Sequence, residues 1–245
     1  MTRRQGMLMA GAAGLIGLAG GAVGTRALAE QAGAPVANRA AIEAIVHDYI
    51  LAHPEIIPEA MQKLQSRENA KAIDADRAAL EKPFGSAWAG SQSPKITLVM
   101  FSDYSCGYCR ASVGDVARLL AENPDLKVVW REIPVLGPDS VSAARVALAA
   151  AKQGRYLPLH KGLFAAGRPD AATIAKVAAA AGLDAGQLAR AGKSEDVTAE
   201  IASNMALAGR LGVSGTPAFV IGGEFFSGAV GYEALAKAVV DARKS

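Results

Sequence analysis

Phe101-Ser102-Asp103-Tyr104-Ser105-Cys106-Gly107-Tyr108-Cys109-Arg110 holds the only two cysteines in a chain of 245 residues. The apolar run Ile96-Thr97-Leu98-Val99-Met100-Phe101 leads into it, and an amphipathic stretch at helical spacing follows. This is the pattern of a strand that delivers a Cys-x-x-Cys onto the first turn of a helix, a layout suited to redox chemistry. A thiolate there meets unpaired backbone N–H groups and the positive end of the helix dipole. Both favour the thiolate, which makes the sulfur a nucleophile and a good leaving group. Cys106, the more N-terminal sulfur, is expected to attack substrates, and Cys109 to resolve the mixed disulfide.

Two plainer readings fit less well. A purely structural disulfide would close a loop too short to gain much chain entropy. Half of a zinc site would need further ligands, because zinc usually takes four. No third cysteine exists, and His47, His53 and His160 are scattered. No metal and no cofactor are expected.

Downstream of the motif the chain alternates strand and helix. Lys95–Phe101 is apolar without alternation, as in a buried central strand. A helix is expected from Cys109 to about Ala121, with Val113, Val116, Leu119 and Leu120 inward. Asn123-Pro124-Asp125 turns into a second strand, Leu126–Trp130, which would pair in parallel through that crossover. Ser140 can cap a helix over Val141–Gln153, which Gly154 ends. Tyr156–Ala165 is a short helix, Asp170 caps Ala171–Ala181, another helix begins at Leu183-Asp184-Ala185, and Asp196–Leu211 is the last. These form a helical insert of about 139–212. Strand then returns at Pro217–Ile221. Gly222-Gly223 is a type I′ hairpin signal, Glu224–Ser227 is the return strand, and a C-terminal helix turns Leu235, Ala238 and Val239 inward. This order predicts an α/β, thioredoxin-like fold with an inserted helical subdomain over 86–245. In such a fold Gly215-Thr216-Pro217 opens the hairpin opposite the cysteines. A cis Thr216–Pro217 bond is expected there, so that the preceding backbone can pair with an extended substrate.

Upstream, 1–29 read as a signal peptide. Arg3-Arg4 is a basic start, Gly6–Gly24 carries no charge, and Ala27-Leu28-Ala29 offers a cleavage site before Glu30. The alternative is a permanent anchor, which the six glycines between Gly11 and Gly24 disfavour. Export by the general or the twin-arginine route is open, and either places the protein in the periplasm, where disulfides persist. The formal charge of +3 resides in Arg3, Arg4 and Arg26; without them 23 basic residues face 23 acidic ones. Nothing in that balance points to nucleic acid.

After a linker at 30–38, an α-helical N-terminal stalk is expected over 39–82. Ile42, Ile45, Val46, Tyr49 and Ile50 form a stripe at helical spacing, His53-Pro54 breaks it, and Pro58 suits the first turn of a second helix. Ile57, Ala60, Met61 and Leu64 form that helix's apolar face, and charged helical sequence continues to Glu81. The segment is too short to bury both faces by itself. It packs either on the catalytic domain or on copies of itself.

At these residues the chain resembles the DsbA family of thiol-disulfide oxidoreductases over roughly Trp88 to Lys244. The resemblance rests on Phe101–Arg110, on Gly215-Thr216-Pro217 and on the helical insert between them. It implies Cys106 as nucleophile, Cys109 as resolving thiol, a redox-active disulfide between them, Pro217 as the cis proline, and Gly107, Tyr108 and Thr216 as supporting residues that meet substrate. Val46–Glu55 resembles the N-terminal region of suppressor-of-copper-sensitivity C (ScsC-like) proteins, which implies homo-oligomerisation through 39–82. Two features depart from the oxidase pattern. Gly107-Tyr108 replaces Pro-His, so no imidazolium supports the Cys106 thiolate, and Gly-Tyr together with Thr before the proline is similar to the DsbC-type isomerases. Met100 stands where these oxidases carry a buried acid, six residues before the first cysteine.

These features predict an exported oxidoreductase acting on protein disulfides, as an oligomeric isomerase kept reduced by a membrane thiol-redox partner. Unfolded or misdisulfided proteins would be its clients. A disulfide-donating oxidase is the close alternative. A copper-handling or holdase protein is a third, since two soft thiolates can bind Cu(I); against it, Met1, Met7 and Met9 of the six methionines lie in the leader and no His-rich tract occurs.

Overall fold

The computed structural model describes residues 39–244, and the expected signal peptide and linker lie outside them. Helix α1 spans Arg39–Ala52 and helix α2 spans Ile56–Glu81. The rest of the chain runs β1 (Trp88–Gly90), β2 (Ile96–Ser102), α3 (Gly107–Glu122), β3 (Leu126–Glu132), α4 (Pro138–Lys152), α5 (Tyr156–Ala166), α6 (Ala171–Ala180), α7 (Ala185–Ala191), α8 (Glu195–Arg210), β4 (Ala218–Ile221), β5 (Glu224–Ser227) and α9 (Tyr232–Ala242). The strands form one mixed sheet in the order β1-β3-β2-β4-β5. Only β2 and β3 are parallel, in a register that sets Met100 beside Trp130 and Ser102 beside Glu132. The fold is the expected thioredoxin-like α/β arrangement, with helices α4–α8 inserted between β3 and β4.

Why β2 reads as an unbroken apolar run is visible in the packing. Successive side chains of a strand point to opposite faces, and here both faces are covered. On one face Leu98, Met100, Val128 and Trp130 pack with Val116 and Leu119 of α3, helices α4–α7 of the insert, and Leu235, Ala238 and Val239 of α9. On the other, Val99, Phe101, Val129 and Val220 pack against Ile73 and Leu80 of α2 and Leu207 and Ala208 of α8.

The last turns of α2 thus belong to the core of the catalytic domain and are more than a charged connector. Their attachment has a polar component. The end of a helix leaves carbonyls without intrahelical partners, and a guanidinium suits them in both geometry and charge. Arg131, fully buried at the end of β3, donates to the carbonyls of Ala79, Leu80 and Lys82, and on its other side to Glu200 at 2.8 Å and Asn204 at 3.2 Å on α8. Farther back the character of the helices changes. Ile57, Met61 and Leu64 of α2 are exposed, as are Ile42, Ile45, Val46, Tyr49 and Leu51 of α1.

Three local expectations are corrected, and one strand is added. Strand β3 runs two residues past Trp130, because Arg131 and Glu132 are buried and bonded rather than released into a loop. Helix α4 begins at Pro138, whose missing N–H suits the first turn, and Ser140 turns its hydroxyl inward to Asp103 instead of capping. The hairpin is not type I′: Gly222 lies at φ +60° but Gly223 is outside the left-handed region. A side chain at Gly222 would also strike Cβ of Ala242 at 2.9 Å. Finally, the short strand β1, too brief to show a period, pairs antiparallel with β3 at the sheet edge.

Leu80 is 1% exposed beneath β2 and β3. Leu80→Ala should lower unfolding free energy in urea by about 2–5 kcal/mol, the range for emptying a buried leucine site. A loss near zero would mean that the end of α2 is not part of the cooperative core.

Candidate active site

Strand β2 ends at Ser102, and the turn Asp103–Cys106 swings the chain into α3. The Cys106 amide bonds to the Asp103 carbonyl at 3.1 Å. One buried carboxylate organises this turn. Asp103 accepts from the Ser105 amide at 2.8 Å, from the Val135 and Leu136 amides at 2.8 and 3.0 Å, and from the Ser140 hydroxyl at 2.6 Å. The loop before α3, the loop after β3 and the start of α4 are thereby tied to one side chain.

Cys106 is the N-cap of α3, in extended conformation, and its sulfur accepts from the Cys109 amide at 3.4 Å. A cap sulfur placed this way faces the unpaired amides of the first turn, the position from which a thiolate draws support. The Cys106 thiol donates to the Thr216 carbonyl at 3.1 Å, and the Thr216–Pro217 peptide bond is cis. The two segments that sequence set opposite each other, 110 residues apart, therefore meet at the sulfur. Both cysteines are free thiols. Cys109 lies one turn inside the helix with no exposure. Burial pushes its thiol far above the usual range, only partly opposed by hydrogen bonds from the Asp103 backbone and the Thr216 side chain. Thr216 thus meets the Cys106 sulfur through its carbonyl. Cys109 therefore keeps its proton at neutral pH.

Gly107 is exposed, a side chain there would meet nothing within 4 Å, and Tyr108 is 71% exposed. With Val135 and Leu136, also exposed, Tyr108 supplies apolar surface beside the reactive turn. Arg110 faces inward and bonds the carbonyls of Phe164 and Gly167, which fastens α3 to the inserted helices.

A second polar cluster lies at the end of β3, and no sequence pattern had marked it. Glu132 is fully buried, and its Oε1 accepts from the hydroxyls of Tyr104 at 2.8 Å and Tyr156 at 2.5 Å. His160 Nδ1 lies 3.0 Å from the Tyr104 hydroxyl. Burial holds His160 neutral, down to about 3, and raises Glu132 to about 7. Its traces in the sequence were an acid closing an apolar strand and a Tyr and His four residues apart on one helix face.

A Cys-x-x-Cys at a helix N-terminus, met by a cis proline on a mixed sheet, defines a dithiol protein of the thioredoxin fold. The chain belongs to the DSBA-like thioredoxin domain family, which matches residues 97–240, and the N-terminal domain of the copper resistance protein ScsC matches residues 38–71. Among solved structures, a thioredoxin-like oxidoreductase from Silicibacter pomeroyi is 40% identical at a TM-score of 0.63, over 64% of this chain and 92% of that one. A linker-deletion mutant of Proteus mirabilis ScsC is 27% identical at a TM-score of 0.67, over 85% of this chain and 96% of that one. Na(+)/H(+) antiporter NhaA 3 of Salinispora tropica is 31% identical over 158 residues, which are 62% of this chain and 24% of the antiporter. The chain thus spans about a quarter or less of the length of the curated relatives it matches. Among the described residues no helix is long and apolar enough to cross a membrane.

The raised Glu132 has a consequence for stability. Between its ordinary value of 4.5 and about 7 the folded protein keeps a proton that the unfolded chain has released. Stability from this group is therefore whole below that window and is lost as pH rises through it. His160 acts in the opposite sense from about 3 to 6.5, where the unfolded chain binds the extra proton. Urea titrations of wild type and Glu132→Gln separate the two. The stability of wild type relative to the variant should fall from pH 4.5 to 7, and a constant difference would exclude the assignment.

Proposed function

We propose that the protein is an exported thiol–disulfide oxidoreductase that acts on protein disulfides, and that it works as an isomerase assembled from several copies through residues 39–82. The observation that carries the chemistry is the placement of the Cys106 sulfur at the N-cap of α3 against the Thr216 carbonyl. The assembly is supported by the exposed apolar residues of α1 and of the first turns of α2. The likeness to ScsC over 38–71 supports it as well.

In the cycle, the Cys106 thiolate attacks one sulfur of a client disulfide and expels the other as a client thiolate. The mixed disulfide then has two exits. A different client thiolate can attack the client's own sulfur in the mixed disulfide, which makes a new client disulfide and frees Cys106. No net electrons move, and this is isomerisation. Alternatively Cys109 loses its proton and attacks the Cys106 sulfur, which releases a reduced client and leaves Cys106 and Cys109 joined. Two electrons have then passed to the client, and a thiol-reducing partner at the membrane must return them. The deep burial and raised thiol of Cys109 favour the first exit, because a thiol that holds its proton resolves slowly. The exposed Tyr108, Val135 and Leu136 give an unfolded client an apolar place to rest during the exchange.

Reactivation of a scrambled multi-disulfide protein tests the reading. The chain from Glu30 should reactivate it, and a chain that begins at Ser66 should not. The shorter chain retains Ile73 and Leu80 and so keeps its core. Cys106→Ser should abolish activity, and Cys109→Ser should accumulate mixed disulfides. If neither chain reactivates the protein while both oxidise a reduced client, the protein is an oxidase.

A further inference from the structure

Glu132 touches neither sulfur, yet its surroundings are built around it. Both phenols end on Oε1, and Oε2 has no hydrogen-bond partner although it is buried. A buried polar atom without a partner is costly, and a charged one far more so. A carboxyl whose one oxygen takes two donors while the other takes none is arranged to carry a proton on the second. Neutral His160 completes the set, since its Nδ1 can donate to the Tyr104 hydroxyl, which itself donates to Glu132.

Tyr104 is the link to the chemistry. Its ring is fully buried against Phe164 and His160, with centroids 4.9 and 5.6 Å away. Its backbone lies inside the Asp103–Cys106 turn, two residues before the nucleophile. The hydroxyl is the polar end of that anchor, and Glu132 is what it is fastened to. We propose that Glu132 is a positioning residue for thiol–disulfide exchange: through the Tyr104 hydroxyl its carboxyl fixes the turn that presents Cys106, and gain or loss of the carboxyl proton changes the reactivity of that thiol. The proposal rests on the thiol–disulfide reading of the site.

The groups facing Glu132 come from three elements. Tyr104 and Asp103 stand on the turn after β2, and the Asp103 charge opposes ionisation of Glu132. Tyr156 and His160 stand on α5, beside Lys161, whose charge opposes protonation of His160. Asn204 of α8 donates to the Glu132 carbonyl at 3.3 Å, and the Arg131 guanidinium is spent on the opposite face of the sheet. No cation among these holds the carboxylate, so ionisation leaves Oε2 charged in an apolar setting and pulls on both phenols.

The test uses the reduced full chain. Cys109 is inaccessible, so the rate of alkylation by iodoacetamide reports Cys106. Tryptophan emission reports the cluster independently, because the Trp130 ring lies 4.9 Å from His160 and 5.7 Å from Tyr156. The ratio of wild-type to Glu132→Gln alkylation rates cancels the titration of Cys106 itself. It should step with a midpoint near pH 7, together with an emission change that the variant lacks. Tyr104→Phe leaves Glu132 titrating but cuts the link, so it should keep the emission change and lose the step in rate. A flat ratio, or a step that survives in Tyr104→Phe, would falsify the proposal; should Glu132→Gln fail to fold, the Tyr104→Phe result decides alone. Insulin reduction, run alongside, separates this from the underlying reading. Absent reduction with an intact step in alkylation sinks the oxidoreductase reading, whereas normal reduction with a flat ratio sinks only the role of Glu132.

Discussion

The Asp103 carboxylate receives four hydrogen bonds from three separate stretches of chain, and the reactive turn has its shape because of them. Hydrogen bonds to an ionised acceptor are the stronger kind, and here they are made where water does not compete. The chain between Ser102 and Gly107 contains no regular structure of its own. It is held from outside, by an acid that reaches across to the loop after β3 and to α4. The helical insert is therefore more than a lid over a thioredoxin-like core. Ser140 supplies one of those four bonds, and His160 and Phe164 supply the rings around Tyr104.

The sheet separates two kinds of work. One face carries the thiols, α3, helices α4–α7 of the insert and Glu132. The other receives the end of α2 and helix α8, with Arg131 closing the open carbonyls of α2. Cys109 belongs to the first face and gains its reluctance to ionise from that packing, so the core that stabilises the fold also sets the chemistry of the second thiol.

How much of this the sequence disclosed depended on range. Features declared by neighbours in the chain were legible: the apolar run of β2, the helix after Cys109, and Asp170 as a cap with Gly182 as a stop; the placement of Thr216-Pro217 opposite the thiols followed from the order of the elements. What was not legible is what long-range packing decides. Ser140 has the right type and place for a cap, yet an acid 37 residues away claims its hydroxyl. Arg131 and Glu132 look like the polar end of a strand, because a lone charged residue carries no sign of a partner 51 or 24 residues distant. Met100 correctly announced that the acid was missing from one strand. The acid present under this site stands on the neighbouring strand, two register positions nearer the turn, and only the pairing of Ser102 with Glu132 brings it there.

Arg131 and Glu132 are consecutive residues with opposite duties, and strand geometry alone sends them to opposite sides of the sheet. Insertion or deletion of one residue within β3 would exchange them, aiming a guanidinium at two phenols and a carboxylate at a row of helix carbonyls. This strand can therefore diverge among descendants only by replacement in place, whereas exposed surface loops are free to change in length. Alignments of its descendants should show β3 as a block without gaps, set between segments that drift.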